Sequence, residues 1–182
     1  MMNARWWFLA FPLLAALGCS DPVPLPAQGA ITLSIRKSTS TCPDSGTTYQ
    51  VGDPLKPDSG TLVDGDKGAK ISCSVKGGGG SFAFSGSIAA TTTSGEPLPI
   101  TVTLGEGTVD ATGVGTANVG VYTPKFVETY TSNTACTVKV LNSQVKPGSI
   151  WATFACPSIT YPPDSSCEVG TSTIVLENCD GT

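Results

Sequence analysis

The chain has 182 residues, with 10 Lys+Arg, 14 Asp+Glu, no His, 7 Cys, 21 Gly and 14 Pro. Without histidine there is no Ser-His-Asp triad, no Cys-His dyad and no imidazole metal ligand. A formal net charge of −4 argues against a nucleic-acid partner, which needs a basic face, and the length suits one globular domain.

The first element, residues 1–18, differs in kind from the rest. Met1–Arg5 is a short head with one positive charge, and Trp6–Leu17 is apolar, broken only by Pro12. That run falls short of the roughly 20 residues that span a bilayer as a helix, so it reads as the core of an export signal. Its end, Leu14-Ala15-Ala16-Leu17-Gly18-Cys19, resembles the cleavage box of bacterial lipoproteins. Gly18 supplies the small residue before the cysteine. Ala16 and Leu17 depart from the usual Leu and small residue at the two positions before that. The resemblance implies that Cys19 becomes the mature N-terminus and carries a diacylglycerol on sulfur and an acyl chain on nitrogen. Several chains, at about 0.8 kcal/mol per buried CH₂, give stable anchoring. Cleavage near Ala16 by the general signal peptidase is the alternative, and it would release a free secreted protein. Ser20 follows the cysteine. Under the enterobacterial sorting rule, a residue other than Asp there directs the protein to the outer membrane in preference to the inner.

Residues 19–28 form the second element. After Cys19 the segment reads SDPVPLPAQ, with Pro22, Pro24 and Pro26. Proline-rich chain is extended at about 3.1 Å per residue and makes a semi-rigid tether.

From residue 29 to 182 the pattern is that of strands. Apolar side chains alternate with polar ones over Ala30–Arg36, Ala69–Val75, Ser81–Ala89, Ile100–Leu104, Val119–Val121, Thr134–Leu141, Ser149–Cys156 and Thr171–Glu177. Period two with one apolar side marks a half-buried strand. Turn signals separate them: Asp53-Pro54, Asp58-Ser59-Gly60, Asp64-Gly65, Gly77–Gly80, Ser94-Gly95, Pro147-Gly148 and Pro162-Pro163. No segment has a convincing helical period. The predicted class is all-β: a single antiparallel β-sandwich or jelly-roll-like domain, stabilised by disulfides.

Setting Cys19 aside leaves Cys42, Cys73, Cys136, Cys156, Cys167 and Cys179. An even six in an exported chain predicts three disulfides. Cys136 and Cys156 lie symmetrically about Lys146, so a hairpin would set them opposite each other. Cys167 with Cys179, and Cys42 with Cys73, complete a sequential pairing.

Constellations that might carry chemistry are few. Gly77–Gly80 lacks the Lys-Ser/Thr of a phosphate loop and reads as a hairpin turn. Asp44, Asp53, Asp58, Asp64 and Asp66 either favour calcium or shape turns. Glu96, Glu106, Asp110, Glu128, Glu168 and Glu177 form no hydrolytic pattern. Neither a cofactor nor a metal centre is expected. Tyr122, Tyr130 and Trp151 are candidate ligand-binding aromatics; Trp151 has the opposite parity to Ile150 and Phe154. Lipobox, Pro-rich spacer, six cysteines and β-rich body together resemble the small cysteine-framed envelope lipoproteins of myxobacterial type. That resemblance implies no catalytic residue. The expected function is a membrane-anchored, non-enzymatic binding or adhesion module of the cell envelope. The alternative is a structural or assembly component that binds another envelope protein. The membrane is one partner, through the N-terminal lipid. An envelope protein or a glycan is the other.

Overall fold

The computed structural model describes residues 23–36, 41–93, 99–161 and 165–181. The export signal, Cys19 and the turns at Ser94-Gly95 and Pro162-Pro163 lie outside the described residues, as does Glu96.

The alternating segments form eleven strands: β1 (Gln28–Arg36), β2 (Thr48–Val51), β3 (Leu62–Val63), β4 (Lys70–Gly78), β5 (Ser81–Thr91), β6 (Pro99–Asp110), β7 (Val114–Tyr122), β8 (Tyr130–Ser132), β9 (Cys136–Lys146), β10 (Ser149–Tyr161) and β11 (Ser165–Glu177). One helical turn, α1 (Pro57–Gly60), and a 3₁₀ turn, Asp66–Gly68, lie between β2 and β4. The all-β antiparallel class is the one the sequence predicts.

All strands join one antiparallel sheet in the order β2-β1-β11-β10-β8-β7-β6-β5-β4. β8 and β9 both bridge β7 to β10, so they act as two halves of one interrupted strand. From β4 to β11 the chain is thus a plain meander. β1 and β2 add on beyond β11, which makes β1·β11 the long-range pairing of the fold.

The sheet curls so that its two ends face each other. A Cβ built on Gly29 of β1 would lie 2.9 Å from Ile88 Cδ1 of β5, and one on Gly86 of β5 would lie 2.5 Å from Leu176 Cδ1 of β11. Glycine at these two points lets the layers approach. Between them sit Ile31, Leu33, Ile88, Ile100, Val102, Phe154, Ile174 and Leu176, all at most 1% exposed. These are the apolar members of the alternation, and their burial supplies the main driving force for folding. Ala30 and Val175 are also buried although they face the other way. They pair with each other across β1 and β11, and Val175 pairs with Trp151 on β10.

Three disulfides hold the sheet: Cys42–Cys167, Cys73–Cys179 and Cys136–Cys156. The pairing across the β9–β10 hairpin is the predicted one. The other two correct the sequential expectation. Cys167 and Cys179 sit near opposite ends of β11, one strand of 13 residues. At about 3.3 Å per residue this separates them far beyond disulfide reach. Arg36 pairs with Glu168, so β1 ends beside Cys167, and Cys42 is bonded there. At the other end Asn178 adopts φ 53°, a left-handed conformation that asparagine tolerates. That turns the tail off β11, and Cys179 meets Cys73 on β4.

The tail also closes a seam. Val75 N–H donates to the Asp180 carbonyl at 2.9 Å, Asp180 N–H donates to the Cys73 carbonyl at 3.1 Å, and Gly148 N–H donates to the Val75 carbonyl at 2.9 Å. The outer edge of β4 is covered over Cys73–Val75 in this way. The β2 edge is capped where Thr93 N–H donates to the Gln50 carbonyl. Covered edges are how β proteins avoid strand-to-strand association.

Candidate functional site

The polar half of each alternating strand faces outward, and the register lines these residues up across strands. Ser72 pairs with Ser87 and Ser87 with Thr103. Thr103 pairs with Gly120, and Gly120 with Thr131. A second row runs Lys76, Ala83, Thr108, Thr116 and Thr137. Serine and threonine suit solvated strand faces, and threonine is a strong strand former.

Two irregularities dent this face. The β5–β6 register shifts between Phe84 and Gly86, and the β6–β7 register shifts between Leu104 and Gly107. Such bulges bend strands and re-aim side chains. Gly107 is required here, because a Cβ would fall 2.5 Å from Phe84 Cζ. The result is an open groove of about 680 Å³ across β4, β5, β6 and β7. Lys76, Ser85, Glu106, Thr108, Thr116 and Asn118 stand around it, over a floor that includes Phe84, Gly107 and Ala117. None of those six polar side chains is engaged with a neighbour among the described residues. Their hydrogen-bonding capacity is open to water or to a ligand. The charges there are one lysine and one glutamate, so the groove is close to neutral.

The three candidate aromatics are not brought together. Tyr130 is 2% exposed; its ring stacks on Phe126 with centroids 4.0 Å apart, and its hydroxyl lies 2.6 Å from Ser165 Oγ. It is a core residue and offers no ring to a ligand. Tyr122 is half-buried at the end of β7. Trp151 does face away from the core, yet it is half-buried and its Nε1 is fully covered, with no acceptor among the described residues. None of the three lines the groove. Sequence reasoning looked for aromatics and passed over the hydroxyls, which have a generic signature on any half-buried strand.

Of the acidic run from Asp44 to Asp66, Asp44, Asp53 and Asp64 serve the fold. Asp44 is fully buried; its Oδ2 accepts from Tyr49 Oη at 2.8 Å, and its Oδ1 forms an ion pair with Lys125 Nζ at 3.1 Å. Asp53 Oδ1 accepts from Leu55 N–H at 3.1 Å, and Asp64 Oδ1 accepts from Ile71 N–H at 2.7 Å. These are turn and clamp roles. Among the described residues no three His, Cys, Asp or Glu side chains are grouped as metal ligands.

One carboxylate titrates unusually. Asp110, at the β6–β7 turn, is held below the ordinary aspartate value. The Thr112 hydroxyl is the main cause, at 2.6 Å from Oδ1, with the Val114 and Thr112 amides adding to it. Hydrogen bonds to the charged form produce that direction. Its Oδ1 is spent on the turn, and it does not line the groove.

No helix among the described residues is long and apolar enough to cross a membrane. Compared with known proteins, the chain matches no family model, no curated protein and no solved structure.

Proposed function

We propose that this protein is a lipid-anchored, non-enzymatic binding module of the cell envelope, tethered through Cys19 and holding its ligand in the groove on the outer face of β4–β7. The observation that carries the reading is the set of unengaged polar side chains around that groove. Glu106 is the sole carboxylate there, whereas glycoside hydrolysis of the usual kind takes a facing pair. That favours binding over hydrolysis.

Docking of another envelope protein is less well supported. β4 is covered over Cys73–Val75 and β2 at Gln50, which shortens the open edge that β-augmentation needs. The large exposed apolar residues, among them Val23, Leu55, Val114 and Val127, are spread over several segments of the chain. A stable protein interface has a concentrated apolar core.

Two measurements test the reading. Intact mass of the mature protein should give an N-terminal Cys19 carrying acyl groups; an unmodified N-terminus elsewhere removes the anchor. With Cys19→Ser, so that no lipid inserts by itself, the exported chain should bind native cell-envelope fractions, and Thr108→Trp, which fills the groove from an exposed strand position, should reduce that binding at least about tenfold, equivalent to 1.4 kcal/mol. Undiminished binding by a folded Thr108→Trp protein would remove the groove from the proposal.

A further inference from the structure

We infer that the groove accepts a neutral, linear glycan with free vicinal diols, lying across the strands. The inference rests on the binding role proposed above and names the chemistry of the ligand.

The shape of the site asks for a chain. The central groove continues into two further depressions. Along β4, β5 and β6 it shares Ser74 and Ser85 with one of about 570 Å³ that reaches Asn178 and Asp180 of the tail. Toward β8 it shares Asn118 with one of about 290 Å³ that reaches Thr131. The tract therefore crosses β4 to β8. A compact ligand would leave most of it empty.

Its chemistry selects the chain. Hydroxyl and amide side chains both donate and accept hydrogen bonds. A ligand that satisfies Ser85, Thr108, Thr116 and Asn118 must present both functions repeatedly along its length. A polyol does this. Ser72, Ser87 and Thr103 form a further polar row across strands spaced about 4.8 Å apart, comparable with the advance of one pyranose unit along a chain, and in it the Ser87 and Thr103 hydroxyls already lie 3.4 Å apart as hydrogen-bond partners. Between Thr103 and Thr131 the row is interrupted by Gly120, where the Thr129 methyl takes up part of the space a side chain would use.

Other polymers fit less well. A nucleic acid or acidic polysaccharide needs cations in excess, and the central groove has Lys76 balanced by Glu106. A protein partner is held by buried Trp, Tyr or Arg anchors, and the central groove presents Phe84 only as floor, 3% exposed.

The test uses the full exported chain with Cys19→Ser, so that no lipid drives binding by itself. Retention on native envelope fractions is measured before and after two treatments: periodate, which cleaves vicinal diols, and protease. The inference expects retention to fall at least about tenfold after periodate, to survive protease, and to change less than about twofold between low and high salt. Thr108→Trp should lose retention. Thr153→Trp, on the outer face of β10 away from the groove, should keep it. Retention that survives periodate, or that collapses with salt, overturns the glycan and leaves the binding role standing. Absence of retention in the untreated sample overturns the binding role itself.

Discussion

Asp44 shows how one residue can be chosen for the fold and not for chemistry. Its carboxylate is fully buried, and it joins the loop after Cys42 to the loop after β7 through Tyr49 and Lys125. Asp44→Ala would remove the buried carboxylate that accepts from the Tyr49 hydroxyl, while Lys125, half exposed, would turn to water. The expected cost is about 1–3 kcal/mol, read as a lowered urea midpoint with an unchanged slope. Asp110 makes a different prediction. Its folded pKa is depressed, so its contribution to stability is present above the unfolded value. That contribution is lost as pH falls through the lower folded value. An NMR titration of its carboxyl should show a midpoint below the ordinary aspartate value, and Asp110→Ala should flatten the acid limb of the stability curve. Trp151 provides a third check. Its covered Nε1 and half-buried ring predict a blue-shifted emission with weak quenching by iodide in the mature chain; a red-shifted, freely quenched maximum would place the indole in water.

At the scale of elements, the tail after β11 matters more than its length suggests. Cys179 and Asp180 close the β4 edge through a disulfide and two backbone hydrogen bonds. Cys73–Cys179 also joins residues 106 apart in sequence. Long loops give the larger entropic restriction of the unfolded chain. Replacing both cysteines by alanine should therefore cost about 2–4 kcal/mol. It should also speed amide exchange at Val75, whose N–H is held by Asp180. The opened edge would be free to pair with another chain, so concentration-dependent association should follow in light scattering. Non-reducing peptide mapping checks the pairing directly, with Cys42–Cys167 as the most informative fragment.

For the whole molecule, the chain's own pattern reveals a great deal. Period-two alternation locates the main strands and most of the buried residues, because side-chain direction in a strand follows from local geometry alone. Four segments were harder to read. β2 and β3 are short, and they are strands only because β1 offers them an edge. β6 runs on past Leu104 through a Gly105-Glu106-Gly107 bulge that breaks the alternation. The first half of β11 is polar outward, with only Cys167 and Val169 marking its inner face.

Composition and pattern were sufficient for the all-β class, the polar and apolar faces, and the commitment of six cysteines to three bridges. The Cys136–Cys156 pair was also within their reach, because a hairpin is local. Tertiary structure alone decided the other two bridges, since β1 joins β11 and the tail joins β4 across more than a hundred residues. It also decided the groove. Ser85, Thr108, Thr116 and Asn118 lie on three strands, and only strand order and two bulges gather them. The physical reason is the same in each case. Local geometry sets which way a side chain points, while its neighbours are set by pairings that the whole core must stabilise.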